Sequence, residues 1–377
     1  MLQSVVNLTK ELISIPSISP LDLGCQDIII KRLTAIGFLV EKMNFKNTKN
    51  VWAIHKGTSN EKTITFLGHT DIVPAGTINN WKFPPFNPTI SKGKLFGRGA
   101  VDMKGALAAM IVAIEHFISS NPIHNQRLSV IITSDEESKA TNGTVKVVNT
   151  LKSRNEVIDY CIIGEPTSIN IVGDTIKNGR RGSLTANLTI YGKQGHIAYP
   201  KLSINPIHNI IPFLNALIKK KWDVSNTFFS KTTMQISQIH SGLNCSNITP
   251  GNLFVQFNFR FGSQITIEQL QFEVNQLLNF FHLKYSIKWV ISGKPFITYK
   301  GNLLDTVQHV IKNFHGFLPK TSTSGGTSDG RFITTMGSEI VELGLINRNI
   351  HQVNEYVKIS DLKLLTLIYL QIIKQLI

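Results

Sequence analysis

Side chains that can bind metal ions follow the strand-like segments of this sequence. Residues 63–67 precede His69 and Asp71, residues 128–133 precede Glu136 and Glu137, and residues 160–163 precede Glu165. Asp102 lies between glycines and a helical stretch rich in Ala, Met and Ile. If the strands lie side by side, their carboxyl ends meet at one crevice, where open α/β sheets bind ligands. We therefore expect a histidine and several carboxylates at a single site.

Two imidazoles and three carboxylates form a ligand set that suits zinc. Its members are His69, Asp102, Glu137, Glu165 and His351. Because one catalytic zinc ion takes about three protein ligands, five of them predict two ions that share a bridging aspartate. Each residue taken alone has a simpler interpretation, as a solvated side chain, a helix cap or a surface acid. The position of four of them after an apolar run or a glycine turn favours the metal site.

Two further acids flank these ligands. Asp71 is two residues from His69 and is placed to accept the second ring N–H, although it could equally be a turn residue before Pro74. Glu136 is the neighbour of Glu137 and cannot easily reach the same ion. It is therefore the candidate general base for a water molecule, the alternative being an outward-facing surface acid.

The chain has 377 residues, which predicts two domains. Strands alternate with helices in its first half, and this predicts a mostly parallel sheet flanked by helices. After residues 178–182 the pattern becomes βαββαβ, which indicates an inserted α+β domain of the ferredoxin-like type. Past Gly293 the chain returns to the first domain. We thus predict an α/β protein with a discontinuous catalytic domain, 1–179 and 293–377, and an inserted lid and dimerisation domain, 180–292.

Composition narrows the class of protein. A hydrophobic fraction of 42% and a charged fraction of 17% argue against disorder. The net charge of +15 could indicate nucleic-acid binding, but Lys and Arg form no long run, so biased composition or steering of an anionic substrate is favoured.

Three cysteines that are far apart in the sequence indicate a reducing compartment. The N-terminus lacks a signal-like apolar segment and residues 364–373 are too short to span a bilayer, so we expect a cytoplasmic protein without membrane or nucleic-acid partners.

Eight sequence blocks resemble the M20 family of dizinc aminoacylases, deacylases and peptidases. They are Gly68-His69-Thr70-Asp71, 97–105, Ser134-Asp135-Glu136-Glu137, Gly164-Glu165-Pro166-Thr167, 178–183, 194–200, 325–331 and 350–355. They occur in the family's order and extend over essentially the whole chain. Blocks 178–183, 194–200 and 325–331 are similar to the branch of the family that hydrolyses N-succinyl-LL-2,6-diaminopimelate to succinate and LL-2,6-diaminopimelate, a step of lysine biosynthesis.

The resemblance implies a role for each residue of the metal site. Asp102 would bridge two zinc ions per subunit, His69 and Glu165 would complete one site, and Glu137 and His351 would complete the other. Co²⁺ is the alternative metal in one site. Glu136 would be the acid/base, Asp71 would orient His69, and the peptide bond after Asp102 would be cis.

The resemblance also implies residues that contact the substrate. His196 is similar to the residue that reaches from the partner subunit of a homodimer to stabilise the oxyanion. The residues that match the substrate-binding positions are Arg180, Ser183, Asn247, Arg260, Thr327 and Asn347. Arginines suit such positions because a guanidinium can bind a carboxylate through two parallel hydrogen bonds. Without the resemblance, His196 would be interpreted as a structural histidine and Arg260 as a surface or ion-paired residue.

Other functions stay open on the sequence. An acetylornithine deacetylase or a dipeptidase of the same family would share the metal site and differ near Arg180 and Thr327. A non-catalytic or nucleic-acid-binding protein on the same scaffold would account for the positive charge. The complete set of metal ligands argues against this last interpretation.

Overall fold

Residues 2–59 and 61–377 are described by the computed structural model. The chain divides into two units, of which the second interrupts the first. Unit 1 comprises Met1–Gly179, Ile297–Ser322 and Ser328–Ile377, and unit 2 comprises Arg180–Phe296 and Thr323–Thr327. Unit 2 therefore includes five residues that come long after the main insertion.

The helices of the described residues belong to both units. The α-helices are α1 (Leu2–Ile13), α2 (Cys25–Ala35), α3 (Lys104–Ser120), α4 (Thr144–Ser153), α5 (Pro206–Lys219), α6 (Ile267–Phe280), α7 (Asn302–His315), α8 (Gly330–Ile333) and α9 (Ile359–Leu376). Short 3-10 turns cover Ile78–Asn80, Pro200–Leu202, Thr334–Met336 and Asn347–Asn349. Among residues 2–59 and 61–377, no helix combines the length and the apolar character needed to cross a bilayer.

Unit 1 is built on an eight-stranded sheet. Its strands, in spatial order, are Leu39–Lys42, Asn50–His55, Arg127–Thr133, Thr63–His69, Tyr160–Ile163, Glu339–Glu342, Thr175–Lys177 and Lys320–Ser322. The central strands, from Arg127–Thr133 to Glu339–Glu342, run parallel to one another, whereas the Leu39–Lys42 edge is antiparallel. The prediction of an α/β fold with a mostly parallel sheet is confirmed.

Burial explains the central position of the strand Thr63–His69. All seven of its residues are buried, as expected for a parallel strand covered on both faces. Helix α3 is also buried around most of its circumference, because Ala106, Ala108 and Ala109 let neighbouring elements approach closely. Helix α9 packs against α3 and buries a face rich in Leu and Ile. These contacts hold the strand ends and the start of α3 in one core.

Unit 2 contains the predicted βαββαβ order. Its four long strands are Gly182–Tyr191, Thr233–Ser241, Asn252–Phe261 and Tyr285–Gly293, with α5 after the first and α6 after the third. In the antiparallel sheet the first and third strands are central, and the second and fourth form the edges. This is the strand order of a ferredoxin-like domain. Alternate residues of the central strands are buried in the core that also contains α5 and α6.

Short strands complete the structure. A three-stranded sheet joins Thr89–Ser91 and Lys94–Phe96 to Tyr356–Lys358. It brings the chain just before Asp102 beside the chain just after His351. Two-residue strands occur at Gly195–His196 with Ile248–Thr249, and at Gly179–Arg180 with Phe296–Ile297, where the chain passes from one unit to the other.

Candidate metal centre

The carboxyl ends of three parallel strands bring the first group of site residues together. In the sheet, His69 is paired with Thr133, and Leu67 is paired with Ile163. The segments that follow Thr133 and Ile163 carry Glu136, Glu137 and Glu165, so these residues emerge at the same sheet edge as His69. Asp102 reaches this edge from the turn before α3, and the peptide bond between Asp102 and Met103 is cis.

The five proposed ligands lie close together in unit 1. The Nε2 atom of His69 is 3.4 Å from Asp102 Oδ1 and 3.7 Å from Glu165 Oε1. The Nε2 atom of His351 is 3.0 Å from Glu137 Oε1 and 3.3 Å from Asp102 Oδ2. Each oxygen of Asp102 thus faces a different histidine, which is the arrangement needed for a carboxylate shared by two ions.

The surroundings of His69 fit a cation. Its Nδ1 atom is 2.9 Å from the carbonyl oxygen of Asp71, and because a carbonyl only accepts, Nδ1 carries the hydrogen. In the neutral ring, Nε2 then carries no hydrogen, and its lone pair faces carboxylates. No hydrogen-bond donor among the described residues reaches this atom. Asp102 Oδ1 also lacks such a partner. Lone pairs of imidazole and carboxylate that face one another are stable only with positive charge between them, as a metal ion provides.

The charges at the site agree with this interpretation. Among the protein groups alone, burial opposes the protonation of His69, but the carboxylates of Asp102 and Asp71 raise its pKa well above the usual range. Hydrogen bonds to Asp102 and Glu137 raise the pKa of His351 to about 10. For Asp102, the effect of burial is outweighed by the neighbouring imidazoles of His351 and His69, so its pKa is lowered. The site therefore attracts cations.

Asp71 differs in detail from the sequence-based interpretation. The closest acceptor for the ring N–H of His69 is the backbone carbonyl of Asp71, while its carboxylate oxygen Oδ1 is 3.5 Å away. That carboxylate instead accepts from the backbone N–H groups of Glu136, at 3.3 Å, and Glu137, at 3.0 Å. The hydroxyl of Ser19 donates to it as well, at 2.6 Å. Asp71 thus links the His69 strand to the turn that carries both glutamates.

Glu136 is suited to accept a proton. Burial, reinforced by the negative charges of Glu165 and Asp329, raises its pKa well above the usual range for a glutamate. A carboxylate with a raised pKa is a stronger base and approaches the optimum for proton transfer near neutral pH. Two groups of three side chains have ligand atoms within 4.8 Å of one another, His69 with Glu136 and Glu165, and His69 with Asp102 and Glu137. Glu136 therefore lies among the side chains that could hold a metal ion.

Two acidic residues near this site were not singled out by the sequence analysis. Asp329 is 1% exposed, its charge acts on Glu136, and neither carboxylate oxygen has a hydrogen-bond partner among residues 2–59 and 61–377. Glu355 is completely buried and binds the segment that carries Asp102. Both lie inside the sequence blocks 325–331 and 350–355. The sequence signal for Asp329 was its position among glycines and hydroxyl residues. The signal for Glu355 was its position four residues after the proposed ligand His351.

Most of the predicted substrate residues belong to unit 2. Residues Arg180, Ser183, Asn247, Arg260 and Thr327, together with His196, lie in unit 2, whereas Asn347 lies in unit 1. Arg180 donates to the carbonyl oxygens of Ser324, at 3.4 Å, and Gly326, at 3.3 Å, so its guanidinium borders the segment that contains Thr327. Ser183 and Arg260 are paired across adjacent strands. His196 and Asn247 are exposed in unit 2.

Comparison with known proteins identifies relatives over the whole length of the chain. Residues 65–375 match the model of peptidase family M20/M25/M40. The chain is 58% identical over 374 residues to the succinyl-diaminopimelate desuccinylase of Buchnera aphidicola subsp. Acyrthosiphon pisum (strain APS), with 99% of each chain covered. The corresponding protein of strain Tuc7 gives the same identity and coverage.

Solved structures share the fold. A tripeptidase from Staphylococcus aureus subsp. aureus mu50 has 22% identity and a TM-score of 0.80, with 99% of this chain and 98% of that chain covered. An M20 family metallo-carboxypeptidase from Sulfolobus solfataricus has 18% identity and a TM-score of 0.81, with 98% of both chains covered. At these identities the two structures support the fold alone.

Proposed function

This chain belongs to peptidase family M20/M25/M40, and we propose that it hydrolyses N-succinyl-LL-2,6-diaminopimelate to succinate and LL-2,6-diaminopimelate. The observation that carries the proposal is the convergence of His69, Asp102, Glu137, Glu165 and His351 around two adjacent positions, with Glu136 beside them. The substrate is chosen because relatives named for this reaction are 58% identical over 99% of the chain. The reaction serves lysine biosynthesis.

We assign the ligands to two zinc ions, with Co²⁺ as the alternative in one position. His69, Asp102 and Glu165 would hold one ion, and Asp102, Glu137 and His351 would hold the other. When bound, two such ions polarise an amide carbonyl and lower the pKa of water. The contacts of Asp102 with both histidines support its assignment as the shared ligand.

Glu136 moves the proton in this proposal. Hydrolysis forms a bond between the water oxygen and the succinyl carbonyl carbon and breaks the bond from that carbon to the amide nitrogen. Glu136 accepts a proton from water and delivers it to the departing amine, for which its raised pKa is suitable. His196 of the partner subunit would donate a hydrogen bond to the oxyanion.

The arginines of unit 2 would bind the anionic ends of the substrate. Arg180 and Arg260 supply guanidinium groups that match a carboxylate in shape and charge. Ser183 is paired with Arg260 in the sheet, and Thr327 lies in the segment that Arg180 contacts. We include Asn247 and Asn347 in this set on the same resemblance.

A substrate panel tests the proposal directly. Zinc-loaded protein is expected to hydrolyse the succinyl substrate with a kcat/KM at least ~100-fold above that for acetylornithine or a dipeptide, because a site built for a second carboxylate loses paired contacts with substrates that lack it. Release of succinate is measured. Replacing Arg180 by Met is expected to raise KM by roughly 10-fold or more, in line with the loss of a charged hydrogen bond.

The controls for this experiment are a variant and a competing substrate. Arg154 is an exposed arginine paired with Glu41 in unit 1, so Arg154→Met should leave KM unchanged. A preference for acetylornithine would contradict the proposed substrate and support a deacetylase of the same family.

We further propose that the chain forms a homodimer through unit 2. The strand Thr233–Ser241 is an edge of the sheet, and most of its residues are exposed. Helix α5 packs beside this strand and exposes Ile207, Ile211 and Ile218. An open strand edge next to an apolar helix face is a surface that another copy of the chain can cover.

A substitution that introduces one charge on the exposed face of α5 tests the proposed dimer. The mass in solution is expected to be twice the chain mass of 42.1 kDa, and Ile211→Asp is expected to shift the protein to the monomer while unit 2 stays folded. Phe272→Asp is the matched control, because Phe272 is a similarly exposed apolar residue on the other helix of unit 2. Light scattering measures both. An active monomer would contradict the role proposed for His196.

We also propose a cytoplasmic location, on the chemistry of the cysteines. Cys25, Cys161 and Cys245 are all free thiols, and the first two are buried. Unpaired cysteines are typical of proteins in a reducing compartment.

A further inference from the structure

Glu355 binds the turn that carries Asp102. Its Oε1 atom accepts from the backbone N–H groups of Val101, at 2.8 Å, and Asp102, at 3.3 Å. Its Oε2 atom accepts from Nη1 of Arg98, at 2.7 Å, and from the N–H of Gly99, at 3.1 Å. Both oxygens are acceptors only, so the side chain is the carboxylate. The side chain is 1% exposed. This one acid thus binds three backbone N–H groups and the guanidinium of residues 98–102.

Arg98 extends this contact to the other segments of the metal centre. Its guanidinium donates to the carbonyl oxygens of Gln352, at 3.2 Å, and His351, at 3.4 Å. It also donates to Pro74, at 3.4 Å, in the loop that follows His69 and Asp71. The ion pair of Arg98 with Glu355 therefore joins three segments that are far apart in sequence, and each of them carries a residue of the site.

We propose that Glu355 is a positioning residue of the metal centre, which holds Asp102 and His351 at the separation that two ions require. This inference depends on the proposed metal site. Glu355 itself touches neither substrate nor ions, and it acts through the backbone of Val101 and Asp102. Groups behind the ligands commonly determine how well a ligand is oriented, and their loss typically lowers metal affinity by about 10- to 100-fold.

The two ions should not depend equally on Glu355. Both use Asp102, which the carboxylate positions. The first ion is assigned to Asp102, His69 and Glu165, and neither His69 nor Glu165 is among the described contacts of Arg98 and Glu355. The second ion is assigned to Asp102, His351 and Glu137, and of these ligands only Glu137 lies outside those contacts. Loss of Glu355 should therefore weaken the second ion more than the first.

The test is a titration of chelator-treated protein with zinc, in competition with a chromophoric chelator. Glu355→Gln keeps the size of the side chain, but its amide nitrogen must face N–H donors where an acceptor is required. We expect the affinity for one ion, the one assigned to Glu137 and His351, to fall about 10- to 100-fold, the range typical for a group behind the ligands, and the affinity for the other ion to fall less. In the metal-free protein, hydrogen exchange at the amides of Gly99, Val101 and Asp102 should become faster.

The matched control is another glutamate with an arginine partner. Glu115 on α3 binds Nε and Nη2 of Arg32, both at 2.7 Å, away from the site segments. Glu115→Gln should keep the wild-type affinity for both ions, which would show that loss of a glutamate–arginine pair elsewhere in unit 1 does not produce the effect. If Glu355→Gln does not fold, Arg98→Lys provides a milder test, since it keeps the backbone contacts of Glu355 and loses those to residues 351 and 352.

The outcomes distinguish this inference from the proposed function. If the wild type binds two ions and Glu355→Gln binds both with undiminished affinity, the positioning role alone is overturned. Should Glu355→Gln fail to fold, the same result in folded Arg98→Lys overturns it. A wild-type chain that binds no zinc would overturn the proposed function, and the positioning role with it.

Discussion

Replacement of Glu136 by Gln is expected to lower kcat by about 10³-fold while two metal ions stay bound, within the range for removal of a general acid/base. Gln has nearly the same size but cannot accept a proton from water or deliver it to the amine. The backbone N–H of residue 136 keeps its hydrogen bond to Asp71, so the turn should keep its shape. Succinate release and metal content are measured on the same preparation.

The neighbouring glutamate is the control for this substitution. Glu137 lies 3.0 Å from Nε2 of His351 and is assigned as a ligand, so Glu137→Gln should release one of the two ions. The two adjacent variants should therefore differ in metal content although both lose activity. Near-normal turnover in Glu136→Gln would remove Glu136 from the mechanism. Equal metal loss in both variants would instead make Glu136 a ligand.

Replacement of Asp102 by Asn is expected to weaken both ions and to lower kcat/KM by about 10³-fold or more, equivalent to the several kcal/mol that metal ions contribute to such reactions. One oxygen of Asp102 faces His69 and the other faces His351, and an amide offers only one oxygen and no charge. Metal affinity is measured by chelator competition, and activity is measured at saturating zinc. Retention of two tightly bound ions would contradict the bridging role.

Asp329 supplies the control for Asp102. It is another buried acid of unit 1 outside the assigned ligand set, so Asp329→Asn should keep both ions. Its negative charge helps to raise the pKa of Glu136, so its removal lowers that pKa. A general base acts in its deprotonated form, so activity is lost as the pH falls through the pKa of that base. The acidic limb of the profile of kcat/KM against pH should therefore move to lower pH.

Local sequence patterns predicted the regular elements well where the elements are buried. The parallel strands that end near His69, Glu136 and Glu165 were all predicted. Their signal is strong because a strand covered on both faces must be apolar over its full length. The edge strand Leu39–Lys42 was missed, since it is short and carries no regular alternation of buried and exposed residues. The strand pair Thr89–Ser91 and Lys94–Phe96 was missed because each strand has only 3 residues.

Candidate ligands were also accessible to sequence analysis, because parallel strands place their carboxyl ends at one edge. His69, Glu137 and Glu165 follow from that rule without any knowledge of their contacts. The assignment of ligands to two ions came from a resemblance and stays a prediction. Segment Thr323–Thr327 belongs to unit 2, a grouping that no local pattern indicated.

The order of residues thus specified which chemical groups the site contains, since burial and periodicity are properties of short segments. Only the folded chain decided which partner each group meets. The carboxylate of Asp71 binds the turn of Glu136 and Glu137 more closely than it approaches the ring of His69, and Glu355 reaches a turn about 250 residues earlier in the chain. The physical reason is that a buried carboxylate takes whichever donors the packing of distant segments leaves unsatisfied, and sequence spacing carries no record of those donors.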